Sequence, residues 1–132
     1  MAPAKRLPAL DRRALTALAL DVVVVAVFTL IGRRTHDEPL DLLSWWSTAW
    51  PFLTGLLLGW AIVALTRRVW ATGVAEGVLV WLATVVIGMA LRTLTDQGTA
   101  PPFVVVATLF LGATLVGWRA LLTAVRRRRA RV

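Results

Sequence analysis

The chain has 132 residues, 58% of them hydrophobic, a mean hydropathy of +0.75 and no cysteine. This excludes disulfides and thiolate metal sites and leaves too little polar surface for one soluble domain of this size. The formal net charge is +8, but the basic residues flank apolar runs, where they set topology and touch anionic lipid head groups, so nucleic acid is not expected as a partner. Arginine greatly outnumbers the single lysine, Lys5, and asparagine and tyrosine are absent, a usage that reads as GC-rich and bacterial.

A basic N-terminal segment, residues 1–13, precedes the first apolar run at 14–31. Three more runs follow at 49–66, 74–91 and 103–123. A hydrocarbon core of about 30 Å needs roughly twenty apolar residues as a helix, and these four segments reach or approach that length. Lipid forces backbone groups to be satisfied internally, so they are predicted as helices; no alternation argues for a barrel. The first run lacks a small-x-small cleavage site after "TLIGRRTH" and carries Asp21, so it reads as an uncleaved helix. Pro39 opens a short interfacial helix over "PLDLLSWW", with Leu40, Leu43 and Trp46 on one side. Pro51 is expected in the first turn of the second helix, where its missing N–H is tolerated. "TDQGTAPP" is a loop, and Pro101 and Pro102 start the fourth helix. Residues 124–132 form a basic tail containing "RRRRAR". The expected fold is all-α, one membrane domain of four transmembrane helices with a short interfacial segment after the first.

Eleven arginines and lysines fall in the N-terminal segment, the second loop (Arg67, Arg68) and the tail, against three on the opposite side, Arg33, Arg34 and Arg92. The positive-inside rule then puts both termini in the cytoplasm of a bacterial, multi-pass cytoplasmic-membrane protein. Trp45, Trp46 and Trp50 fall at the outer interface and Trp70 and Trp118 near the inner one.

Asp21 lies about seven residues into the first helix, roughly 10 Å deep. An aspartate near a helix centre disfavours insertion by about 2.5–3.5 kcal/mol, so something compensates it or uses it. Arg119, at similar depth in the fourth helix, is the candidate partner. The pair reads either as a helix lock or as an ion, proton or solute site. Glu76, at the start of the third helix, reads as an acid favoured by the helix dipole or as a third member of that cluster. On the outer side Trp81, Thr84, Gly88 and Arg92 share one stripe, level with Arg33, Arg34, His36, Asp37, Glu38 and Asp96. They read as a solvated charge belt or as a vestibule for an anionic group, lined by Arg33, His36 and Arg92. A lone histidine without cysteine makes zinc improbable. Gly55 and Gly59 in "GLLLG", and Gly73 and Gly77 in "GVAEG", are spaced for close helix packing. No nucleophile–histidine–acid set and no phosphate loop occurs, so neither enzyme chemistry nor a cofactor is expected.

"FTLIGRRTHDE" (28–38), "TAWPFLTGLLLGW" (48–60), "TVVIGMALR" (84–92) and "FVVVATLFLGATLVGWRAL" (103–121), preceded by Asp21, resemble the small bacterial membrane proteins grouped as domain of unknown function 3054. The resemblance covers the chain from Asp21 to Leu121 and implies a multi-helix membrane protein without an established activity. It points to Asp21, Gly32, Arg33, His36, Trp50, Pro51, Arg92, Trp118 and Arg119; the polyarginine tail lies outside it.

Two functions follow. The first is a small-solute, ion or proton binding or translocation unit, with Asp21 and Arg119 as its intramembrane site and Arg33, His36 and Arg92 at its entrance. The second is a structural or accessory membrane protein whose charges lock helices and set topology. A dry bidentate pair favours the second, and a water-sized polar cavity at Asp21 the first. Anionic lipid at the tail is the expected partner, and self-association stays open.

Overall fold

The computed structural model describes residues 6–131; Lys5 of the basic N-terminal segment lies outside them. Four helices follow one another: α1 (Arg12–Thr35), α2 (Leu42–Arg67), α3 (Val74–Leu94) and α4 (Pro101–Ala130). All four are long and apolar enough to cross a membrane. At 1.5 Å per residue they measure about 32 to 45 Å, against a hydrocarbon core of about 30 Å.

The helices extend past their apolar runs because polar residues cap them. The Asp11 carboxylate accepts from the Ala14 N–H at 2.8 Å, and the Asp41 carboxylate from the Ser44 N–H at 3.1 Å, each satisfying a donor that a helix start leaves unpaired. Pro101 and Pro102 open α4, where a missing N–H costs nothing. The basic stretch Arg126–Arg129 lies in the last turns of α4.

The segment around Trp46 corrects the sequence expectation. No separate helix covers 39–46: α2 starts at Leu42, behind its Asp41 cap, and runs unbroken to Arg67. Pro51 therefore sits in the body of α2 rather than its first turn. The proline is tolerated because the turns before it are held from outside: the Trp45 indole N–H donates to Thr29 Oγ1 of α1 at 2.9 Å. Leu40, Leu43 and Trp46 all stay exposed.

α2 and α3 make the closest pair. A Cβ on Gly55 would meet the Thr84 carbonyl oxygen at 2.9 Å, and one on Gly59 the Ala83 Cβ at 3.0 Å and Val80 Cα at 3.2 Å. Here the absent side chains let two backbones touch, which is how helices gain dispersion contact when lipid offers no hydrophobic drive. Phe28, Phe52, Phe103 and Phe110 pack against one another, with Phe28 edge-on to Phe52 at 5.5 Å. The outside of the bundle is apolar: Leu15, Val23, Leu57, Leu65, Val86, Val105 and Leu109 are all exposed. A surface of that kind suits lipid and would be a liability in water.

α4 contains one π-helical stretch, Gly112–Val116. Ala107, Leu111, Leu115 and Arg119 recur every four residues and are all buried. In a pure α-helix three such steps would rotate the last residue about 120° away from the first. The wider π turn absorbs that drift and keeps the arginine in line with the apolar residues.

Candidate functional site

Asp21 lies in the buried stripe of α1, with Ala14, Ala17, Val25 and Phe28. Arg119 ends the buried stripe of α4. The two meet as a bidentate pair: Arg119 Nη1 donates to Asp21 Oδ1 at 2.9 Å and Nη2 to Oδ2 at 2.7 Å. Both side chains are 0% exposed. Two indoles complete the carboxylate's shell. Trp60 of α2 donates to Oδ2 and Trp118 of α4 to Oδ1, both at 2.9 Å.

The guanidinium is equally saturated. Its Nε and Nη2 donate to the Ala71 carbonyl at 3.2 and 2.7 Å, and Nη1 donates to the Leu115 carbonyl at 2.9 Å. Arginine has five N–H donors and an ionised carboxylate about four acceptor sites. Here all five donors and all four sites are spent. Trp118 also lies against the cation, with Arg119 Cζ 4.4 Å from its ring centroid.

Gly77 makes room for this arrangement. A Cβ there would stand 2.4 Å from Arg119 Cδ and 3.0 Å from Nε. Gly73 does not share the role, contrary to the helix-packing expectation. It is the N-cap of α3, and the nearest atoms a Cβ on it would meet are those of the Glu76 carboxylate, from 3.0 Å. Glu76 is the acid of the first turn of α3 and is absent from the bonds around Asp21 and Arg119. That position is one where the helix dipole favours an acid.

At the far end of the bundle, where α1 finishes and α4 begins, Arg33, His36 and Arg92 line one cleft of about 370 Å³. Arg33 is buried. Its Nε donates to the Pro39 carbonyl and its Nη1 to Thr48 Oγ1, both at 2.7 Å, and Nη1 faces Glu38 at 3.1 Å. Arg92 is half-buried, with Cζ 4.5 Å from the Phe103 ring centroid. His36 is exposed at the end of α1 and holds neither arginine. Arg34, in the last turn of α1, and the turn residues Asp37 and Asp96 are exposed and outside the cleft wall. Among the described residues no group of acids and histidines could hold a metal ion.

Three parts of the buried cluster escape sequence reasoning. An indole N–H in lipid needs an acceptor, so Trp60, in the middle of α2, carries a signal that points to a buried oxygen without saying which. The Ala71 carbonyl carries no signal, because a loop backbone atom is invisible to residue type. Gly77 reads as a helix-packing glycine but seats a side chain.

The chain belongs to the family described as protein of unknown function DUF3054, which matches residues 18–122. That stretch includes both ends of the buried pair and every residue of the far-end cleft. No curated protein and no solved structure matches the chain.

Proposed function

We propose that this DUF3054 protein is a structural or accessory membrane protein in which Asp21 and Arg119 lock α1 to α4, rather than a conduit for an ion, proton or solute. One observation carries the reading: the pair is completely buried, and every donor and acceptor in it is already used. A transport site must exchange partners with its cargo. Here any cargo would have to break charge-assisted bonds in a medium where replacements are scarce. A lock has the opposite requirement, and a saturated pair meets it. The Trp60 and Ala71 contacts extend the lock to α2 and to the loop before α3, so four parts of the chain converge on one carboxylate–guanidinium unit.

In this reading both termini are cytoplasmic, supported by the eleven-to-three bias of basic residues. The Arg126–Arg129 turns of α4 rest against anionic lipid, each basic residue near the surface contributing about 1 kcal/mol. The protein performs no reaction of its own.

The test is a double-mutant cycle on stability, paired with a flux assay. Removing one partner of a buried pair costs about 3–5 kcal/mol because it strands the other charge. Asp21→Ala and Arg119→Ala should therefore each destabilise more than the double substitution does beyond either alone, with a clear coupling energy. Wild-type proteoliposomes should pass protons and sodium no faster than empty ones. Coupling near zero, or a flux abolished by Asp21→Asn, would sink the proposal. Reporter fusions at position 132 and within 95–100 test the topology; a C-terminus outside the cytoplasm overturns it.

A further inference from the structure

The far-end cleft holds two guanidiniums that the fold fixes in place beside a single carboxylate, Glu38. Arg92 donates from Nε to the Gly98 carbonyl at 3.1 Å, from Nη1 to Gln97 Oε1 at 3.2 Å and from Nη2 to the Gln97 carbonyl at 3.1 Å. All three acceptors are uncharged. Among the described residues no carboxylate comes within ion-pair distance of Arg92. Two of its five N–H bonds remain unspent.

Arg33 is more nearly compensated, by Glu38, but the Glu38 side chain is 52% exposed. Among the described residues its Nη2 has no protein acceptor. No buried side-chain nitrogen among the described residues lacks a partner, so Nη2 is reachable from outside. Two cations thus face a cleft that contains one carboxylate. Fixing a cation at the edge of a membrane without a counter-charge is costly unless an anion joins it. The contrast with Arg119, whose five donors are all consumed, lies in the same molecule.

Thr29, His36, Ser47, Thr48 and Gln97 add neutral polar groups to the wall, and one side of it is apolar. Phe28 and Phe103 line the cleft, and Val106 continues it onto the outside of α4, where that side chain is 58% exposed. The cleft therefore opens sideways onto the face of the bundle that meets lipid. Its volume, about 370 Å³, lies at the small end of ligand pockets. That suffices for an oxyanion and the first carbons behind it, with the remaining chain passing over Val106.

We propose that this cleft binds the anionic head of a membrane amphiphile, a carboxylate or phosphate carried on an alkyl chain. Arg92 and the free Nη2 of Arg33 take the oxyanion in the forked geometry that guanidinium favours. Phe28, Phe103 and Val106 take the proximal methylenes. Gly32 lines the cleft, and a Cβ there would meet nothing within 4 Å, so a methyl fits at this position while a bulky side chain takes up free space. The occupant comes from the lipid and is distinct from a free anion of the aqueous phase.

The experiment uses the full chain in nanodiscs of zwitterionic lipid and labelled dodecyl phosphate, with binding to empty nanodiscs subtracted. Wild type should show one saturable site per chain above the salt-screened background of the Arg126–Arg129 turns. Arg92→Gln should weaken binding about tenfold or more, the scale of one lost hydrogen bond to a charged group. Gly32→Phe leaves both arginines in place but fills the cleft, and should abolish binding with helix content unchanged; Gly32→Ala should retain it. Inorganic phosphate at matched concentration should fail to compete. The absence of saturable wild-type binding overturns the proposal whatever the variants do. Binding that survives Gly32→Phe overturns the location, and equal competition by inorganic phosphate overturns the amphiphile.

Discussion

Replacing Gly77 by alanine puts a carbon where the Arg119 side chain runs. The added Cβ would sit 2.4 Å from Cδ and 3.0 Å from Nε, whereas carbon–carbon contact is best at about 3.5–4.0 Å. Something must move by about 1 Å. The arginine cannot simply swing away, because its guanidinium is held at 2.7–3.2 Å by Asp21, Ala71 and Leu115. A 1 Å shift takes several of those bonds out of range. Overpacking costs about 1–3 kcal/mol, and each weakened bond to a charged group has about 1.5–3 kcal/mol at stake. The helix itself gains only about 0.5–1 kcal/mol from glycine to alanine, less this close to the start of α3. The expected net loss is about 2–4 kcal/mol. Against Arg119→Ala the obstruction is gone, so Gly77→Ala should become neutral or slightly stabilising. Reversible denaturation in detergent micelles measures both. An equal loss in both backgrounds would mean that Gly77 serves backbone packing, and the seat argument would be refuted.

Trp60→Phe and Trp118→Phe each remove one of the four donors to Asp21 and should each cost about 1.5–3 kcal/mol; a loss within error of zero by the same denaturation assay would mean the indoles are bystanders. Gly55→Ala should open the α2–α3 contact, because its neighbour is a backbone oxygen at 2.9 Å, with a loss of about 1–3 kcal/mol. Gly73→Ala meets the end of the Glu76 side chain first and should cost much less; equal losses would contradict the assignment of Gly73 as a cap. The Ser44 hydroxyl and backbone N–H hold the Asp41 carboxyl below its ordinary 3.8. A depressed carboxyl contributes stability that is complete above 3.8 and disappears as the pH falls through the lowered value. Amide protection in the first turn of α2, corrected for intrinsic exchange, should therefore decline between pH 5 and pH 2 in wild type and stay flat in Asp41→Asn.

The helices and the Asp21–Arg119 meeting are legible because each rests on residue type and spacing. A long apolar run must be helical in lipid, and two opposite charges at matched depth on antiparallel helices have strong reason to pair. The start of α2 was less legible. Proline at 39 and at 51 both mark helix starts in local terms, yet neither begins the helix. The Asp41 cap and the tether from Trp45 to Thr29 decide the boundary, and the tether is a contact between residues sixteen apart. Glycine spacing marked Gly55, Gly59, Gly73 and Gly77 alike. It cannot say whether the space is filled by a backbone, as at Gly55, by a side chain, as at Gly77, or by the turn itself, as at Gly73.

Three arginines inside or beside the bundle show how partner identity separates structure from recognition. Arg119 meets a carboxylate and neutral carbonyls, all its donors are consumed, and the charge sums to zero within the fold. Arg33 meets a carboxylate that is half in solvent, and one of its nitrogens has no acceptor among the described residues. Arg92 meets neutral oxygens and the face of Phe103, with no carboxylate within ion-pair distance among the described residues. Neutral acceptors orient a guanidinium nearly as well as a carboxylate does, but they leave its charge intact. Orientation without neutralisation is what a recognition site for an anion requires, because the ligand must supply the missing charge for binding to be favourable. If Arg92 were there only to hold the α3–α4 turn, an uncharged donor such as glutamine could serve Gly98 and Gln97 without the desolvation cost of a half-buried cation. Arg92→Gln therefore separates the two roles: stability nearly unchanged with loss of the amphiphile assigns the charge to binding, whereas a collapse of the turn with binding intact assigns it to the fold.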